Sequence, residues 1–234
     1  MSLEYDPLGQ ALIFNEQEIL KISSGDTIFN RFSQLSWGPI RLVDATNPMK
    51  ILVFYKEAAR LVFLDNTLSP NGDPLDLIAL GYDQTELACT SFDNGLWLYD
   101  RLNFRLVRLN ASLAPSVVVP NLNQVLSSDL QFCRLAERNN RLYLFSTKGE
   151  VFVFDVYGSF LFQSHCPAGC QCQVADNYFR FTKDGAWMEI PIRNASTMPR
   201  TLAQSPEEGL VYWLSAKKAL FRSEEGQFKV CRVQ

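Results

Sequence analysis

The chain has 234 residues, 47% of them hydrophobic and 20% charged, with a net charge of -3. This length and composition suit one sizeable all-β domain, residues 1–234, and exclude a disordered chain. Lys and Arg are scattered, so no basic surface awaits nucleic acid or anionic lipid, and no apolar run approaches the roughly 20 residues of a membrane-spanning helix.

Met1-Ser2-Leu3 reads as an added leader standing where a natural start was removed, with an export signal expected upstream in the native chain. Ala11 to Phe14 and Ile19 to Ile22 are short apolar runs around Asn15-Glu16-Gln17. Ser23 to Asp26 turns the chain, Thr27 to Phe32 reads as a strand, and Trp37-Gly38-Pro39 breaks it. Ile40 to Val43 leads into the clearest unit: a turn at Asn47-Pro48, a strand from Ile51 to Tyr55, a polar link, and a strand from Leu61 to Leu64. Pro70-Asn71-Gly72-Asp73-Pro74 is the strongest turn signal, and Leu75 to Leu80 reads as an edge strand.

The same grammar then recurs. Strands are predicted at Glu86 to Thr90, Leu96 to Tyr99 and Phe104 to Leu109, with Asp93-Asn94-Gly95 supplying the positive-φ position of a tight hairpin. Val117 to Val119 reads as the outer strand, and Asn121 to Asp129 as a helical turn or loop. A further copy uses Phe132 to Leu135, Arg141 to Phe145, Val151 to Phe154 and Phe160 to Gln163. Its Phe154-Asp155-x-x-Gly158-x-Phe160 run sets an Asp to accept turn amides and a Gly to take the strained position. Another uses Gln173 to Ala175, Tyr178 to Thr182 and Ala186 to Ile190. The last uses Thr201 to Ala203, Leu210 to Leu214, Ala219 to Arg222 and Phe228 to Cys231, with turns at Pro206 to Gly209 and Glu224 to Gly226.

Second strands beginning near Ala11, Ile51, Leu96, Arg141, Tyr178 and Leu210 recur about every forty residues, the range of propellers and solenoids. A sheet of three or four short strands cannot bury both faces alone, and radial packing of copies leaves only short edges. The expected fold is an all-β propeller of six blades, with five or seven left open, and with the last unit borrowing from the N-terminus to close the ring. A two-sheet sandwich is the rival.

His165-Cys166-Pro-Ala-Gly-Cys170-Gln-Cys172 is the one chemically suggestive cluster. Its spacings are not those of paired zinc cysteines, so soft-metal binding, a disulfide and free thiols all stay open, as does the redox state of Cys166, Cys170 and Cys172. Cys89, Cys133 and Cys231 read as small buried hydrophobes. No phosphate loop, dinucleotide fingerprint or His-Glu-x-x-His is present, and neither cofactor nor metal is expected. Asp65, Asp93, Asp100, Asp155, Asp176 and Asp184 fall where turns fall, which explains them better than paired catalytic carboxylates or a calcium site do. Trp97, Trp187 and Trp213 suit packing between blades. Trp37, Asn47, Pro48, Tyr82 and Phe92 are the candidates for an exposed partner-binding surface.

Three passages carry a family resemblance: Val43 to Lys56, Leu61 to Ser69, and Cys89 to Asn110 with its Phe92-Asp93-Asn94-Gly95-Leu96-Trp97-Leu98-Tyr99-Asp100 core. In them the chain resembles the small exported propeller-like proteins of Bacteroidetes, a family that includes the Plug protein of the type IX secretion translocon. Val153 to Leu161 extends the likeness; the cysteine cluster lies outside it. The resemblance implies a non-catalytic periplasmic protein, a monomer when isolated. It would bind an outer-membrane translocon protein and block its periplasmic opening without inserting into the membrane or binding nucleic acid. The alternative is an extracytoplasmic propeller enzyme, a hydrolase or lyase acting on a glycan or small lactone. That reading expects polar side chains or a metal converging on the axis.

Overall fold

The computed structural model describes residues 2–6, 10–22, 28–126, 130–193, 197–204, 210–215, 218–222 and 228–232, the last three stretches as backbone only. They form a propeller of five four-stranded antiparallel sheets and one three-stranded sheet, each strand pairing with its sequence neighbours. The first blade holds β1 (Ser2–Tyr5), β2 (Ala11–Phe14), β3 (Glu18–Ile22) and β4 (Ile28–Ser33). The second holds β5 (Leu42–Asp44), β6 (Ile51–Tyr55), β7 (Arg60–Leu64) and β8 (Leu75–Asp76). The third holds β9 (Thr85–Thr90), β10 (Leu96–Asp100), β11 (Arg105–Leu109) and β12 (Pro115–Val119). The fourth holds β13 (Phe132–Arg138), β14 (Arg141–Ser146), β15 (Glu150–Asp155) and β16 (Phe160–His165). The fifth holds β17 (Gln173–Ala175), β18 (Tyr178–Lys183), β19 (Ala186–Pro191) and β20 (Arg200–Gln204), and the last sheet holds β21 (Leu210–Ser215), β22 (Lys218–Arg222) and β23 (Phe228–Arg232).

The period-two geometry of a strand explains the radial packing, because successive side chains point to opposite faces of a blade. Ile51, Val53 and Tyr55 of β6 pack with Leu12, Phe14 and Ile19 of the first blade. Their alternates Leu52 and Phe54 pack with Leu96 and Leu98 of the third. Trp97 and Tyr99 of β10 turn the other way, onto Leu142 and Leu144 of the fourth, whose Tyr143 and Phe145 meet Phe179 and Phe181 of the fifth. The middle strands β6 and β10 are therefore buried along their whole length. Among the described residues the fourth strands β12 and β16 are largely exposed, which places them on the rim and the first strands at the axis.

Several expectations need correction. Ser2 and Leu3 belong to β1, whose Ser2 pairs with Phe14 and whose Tyr5 pairs with Ala11. That strand completes the first blade, so it is not lent to the last. Thr201 to Ala203 falls in β20, the outer strand of the fifth blade, and the last sheet has three strands, of which β21 at Leu210 is the first. Only Leu75–Asp76 of the expected edge strand pairs; from Leu77 the chain turns, with Asp76 Oδ1 accepting the amides of Ile78 and Ala79. Of the segment Asn121 to Asp129, Leu122–Gln124 forms a short 3-10 turn. The turns expected at Ser23 to Asp26, Pro206 to Gly209 and Glu224 to Gly226 lie outside the described residues.

Turn chemistry follows the residues closely. Asp155 accepts the amides of Tyr157 and Ser159, and Gly158 takes φ +86°, where a Cβ would also stand 2.2 Å from Val119. In the Asp93-Asn94-Gly95 turn the positive φ of 63° belongs to Asn94. Gly95 is needed for closeness instead, since a Cβ there would lie 2.3 Å from the Leu109 carbonyl oxygen. Because Phe54 is fully buried between two blades, Phe54→Ala should cost about 3–5 kcal/mol in denaturant unfolding. Tyr157→Ala, at an exposed turn, should stay within about 0.5 kcal/mol.

Candidate functional site

Two regions collect polar or exposed side chains: the axis and the loop faces. At the axis, Arg134 of β13 grips Glu4 of β1 as a fork, Nη1 to Oε1 at 2.8 Å and Nη2 to Oε2 at 2.9 Å. The two strands are the innermost ones of the fourth and first blades, so the pair spans the axis. Parallel charge-assisted bonds of this kind fix geometry as well as add attraction. Burial pushes the Glu4 carboxyl above its ordinary range; Arg134 opposes this and the nearby Asp44 carboxylate adds to it.

Two more carboxylates stand at the ends of inner strands, and each reaches across a blade joint. Asp44 of β5 accepts the backbone amide of Thr90 at 2.8 Å and its hydroxyl at 2.7 Å. Glu137 of β13 accepts the Ser91 hydroxyl and the Trp97 indole N–H, both at 2.7 Å, and the Phe92 amide at 3.0 Å. The acceptor and hydroxyl partners are 46 residues apart in both cases, one blade length. Cys89 lies between these groups. Burial, with Asp44 and Glu137 adding, holds its thiol well above the usual range, so it stays protonated and unreactive. His165 is far from this set, exposed on the rim strand β16.

Strand alternation sorts the loops onto two faces. Links between first and second strands and between third and fourth strands share the upper face: Lys50 Nζ donates to the Asn94 carbonyl at 3.3 Å, and Asn71 Nδ2 to the Met49 carbonyl at 3.2 Å. The remaining links and the crossovers between blades form the lower face. There Trp37 packs edge-on to Tyr55 at 5.5 Å with the Arg60 guanidinium 5.5 Å from its ring, and Arg105 lies over Tyr82 at 5.8 Å. A groove of about 540 Å³ opens on this lower face between the first two blades, lined by Gln17, Arg41, Lys56 and Glu57 among others.

The five candidate contact residues are thus divided. Asn47, Pro48 and Phe92 stand on the upper face, Trp37 and Tyr82 on the lower. Only Phe92 is strongly exposed, at 66%, and the others are half-buried. Phe92 is also firmly held. Its amide is bound by Glu137, its ring lies 4.7 Å from the Arg108 guanidinium, and Arg108 Nε donates to Ser91 Oγ at 2.9 Å while Nη2 pairs with Asp93 at 2.7 Å. Sequence reasoning singled out none of Glu4, Asp44, Arg134 and Glu137 as a site. The recurrence of an acid and a hydroxyl one blade apart was the signal on offer.

The cysteine cluster resolves in part. Cys166 and Cys172 form a disulfide with Cα atoms 6.4 Å apart, and Cys89 is free and buried. Cys133, expected as a lone buried hydrophobe, is also disulfide-bonded and packs against the same core as Cys166 and Cys172. The side chains of Cys170, Cys231 and Trp213 lie outside the described residues. Trp97 is fully buried between blades, and Trp187 is half-buried beside Arg180.

No family model and no curated protein matches the chain. Among solved structures it is similar to the WD40 domain of Neurospora crassa Pan2, at 10% identity over all of this chain and 78% of that one, with a TM-score of 0.57. It is similar to a streptogramin B lyase at 11% identity, over all of this chain and 82% of that one, with a TM-score of 0.54. The C-terminal WD40 domain of Sif2 gives 11% identity, 98% and 66% coverage and a TM-score of 0.52. All are propellers; at these identities the likeness is one of fold.

Because the Glu4 pKa is raised on folding from an ordinary 4.5, the folded state holds that proton more tightly than the unfolded chain. Its contribution to stability is fully present below about 4.5 and is lost as pH rises through the folded value. The stability of the native chain minus that of Glu4→Gln, measured by chemical unfolding from about pH 4 to about pH 7, should fall as pH rises. A flat difference would contradict the assignment.

Proposed function

We propose that this chain is a non-catalytic periplasmic binding protein that covers and sterically blocks the periplasmic opening of an outer-membrane translocon, as its resemblance to the type IX Plug family implies. The carrying observation is the Glu4–Arg134 fork across the axis. A propeller used as a cover must not leak through its own centre, and here the innermost strands of opposite blades are tied across it.

Polar side chains on the axis are what the alternative, an extracytoplasmic hydrolase or lyase, expects; we favour the binding reading because the two other acids are committed to structural bonds. Glu137 and the Oδ2 of Asp44 spend their lone pairs on hydroxyl, amide and indole donors of the neighbouring blade, and Asp44 Oδ1 accepts the amide and hydroxyl of Thr46 in its own blade. A general acid or base needs a carboxylate facing its substrate within hydrogen-bond reach. The Cys166–Cys172 disulfide suits an oxidising compartment such as the periplasm. A reversible cover wants a modest interface with a few rigid anchors and a polar rim, and Phe92 on its clamped turn fits the part of one anchor.

The test is affinity recovery of the tagged chain from native membranes. The expected result is an outer-membrane barrel protein in about equimolar amount, and Phe92→Asp, which places a charge at an anchor, should weaken recovery by about tenfold or more. Recovery of the tagged chain alone from native membranes would overturn the reading.

A further inference from the structure

We propose that the Cys166–Cys172 disulfide is a redox latch on the innermost strand of the fifth blade, and that its reduction frees this strand from the axis and opens the joint between the fourth and fifth blades.

By itself β17 is poorly held. It has three residues, Gln173–Ala175, each only half-buried. The equivalent β9 has six, five of them buried. A short inner strand pairs on one side alone, here with β18, and its place depends on what restrains its two ends. At the far end the Asp176 carbonyl accepts a bond from Asn139 Nδ2 of the fourth blade at 3.2 Å. At the near end stands Cys172, immediately before the strand, bonded to Cys166, immediately after the rim strand β16. The disulfide therefore ties the start of the fifth blade to the end of the fourth.

The segment between them is built to present that tie. The Cys166 amide donates to the Gly149 carbonyl at 2.8 Å, the Gly169 amide to the Cys166 carbonyl at 2.9 Å, and the Cys172 amide to the Gly169 carbonyl at 3.2 Å. Gly169 adopts φ +50°, and a Cβ on it would stand 3.3 Å from the Ser146 carbonyl oxygen, so the crossover lies flat against the fourth blade. Both sulfur-bearing residues are fully buried, in the core that also holds Tyr143, Phe145, Phe179 and Phe181. A reductant must therefore wait for a local opening, which makes the latch slow rather than labile.

The chemistry balances with a dithiol reductant. One thiolate of the reductant attacks a protein sulfur, the Cys166–Cys172 bond breaks, and the second reductant thiol displaces the mixed disulfide. Two electrons and two protons pass to the protein as two thiols, and the reductant leaves as a cyclic disulfide.

The test is amide hydrogen exchange on the intact chain in three states: oxidised, reduced with a dithiol, and as the double variant Cys166→Ser/Cys172→Ser without reductant. The variant isolates this bond from the one made by Cys133. In both altered states, exchange at Gln173–Ala175 and in its partner strand should quicken by about tenfold or more, while β6 and β10 keep their protection. Unchanged exchange at Gln173–Ala175 in the double variant would overturn the proposal, whatever the reduced chain shows. So would equal acceleration in every blade, which would make the bond a global brace instead of a local latch.

Discussion

The structure depends on one constraint: each blade has two apolar faces and no means of covering either. A β-strand sends alternate side chains to opposite sides, and in the middle strands both sets are large and greasy. Leu52 and Phe54 have one neighbour, Val53 and Tyr55 another. Burying a side chain of this size contributes roughly 1.5–3 kcal/mol, but only if the adjoining blade is in place. Stability is thus a property of the joints. The most exposed apolar residues of the third and fourth blades, Phe92, Leu102 and Tyr157, sit in turns, while Val118, Phe160 and Leu161 are exposed on the outer strands, which have no further neighbour.

Apolar packing is not directional, and the polar contacts at the axis supply what it lacks. Asp44 and Glu137 stand at corresponding places in different blades and each takes hold of a hydroxyl in the blade beside it. Each contact is satisfied on both sides, so burial does not leave an orphaned group of the kind that costs about 1–3 kcal/mol. The same bonds set the pose of the turn that carries Phe92. Joint geometry and surface presentation are therefore one problem with one solution, in which a carboxylate that holds two blades together also aims an aromatic ring at solvent.

The strands and turns were largely legible in the sequence, because both rest on local rules. The runs Ile51 to Tyr55, Leu96 to Tyr99 and Leu142 to Phe145 are apolar and bounded by polar turn residues, such as Asp93-Asn94-Gly95 and Asn139-Asn140; all are strands. The fold followed from their recurrence. Where the reading failed, the deciding contact was distant. Ser2 and Leu3 carry no strand signal, and become a strand only because β2 offers an edge at the axis. Thr201 to Ala203 reads equally well as the end of one blade or the start of the next; pairing with β19 decides it. The candidate surface failed for a related reason. Trp37 and Phe92 are alike in composition and loop context, but which face a loop joins depends on counting strand reversals, and one misassigned strand inverts the answer. The ion pair Glu4–Arg134 was out of reach of local reasoning altogether, being closed over 130 positions.

That same span has a consequence for how the molecule is made. Glu4 and the strand that carries it complete their inner contacts only with a segment synthesised 130 positions later. Until then Glu4 has no cation, and β1 is a bare edge next to an unfinished core. Contacts of high sequence separation slow folding, and transiently unpaired edges invite association between chains. A chain of this design gains by delaying the ordering of β1 until the fourth blade is available to meet it.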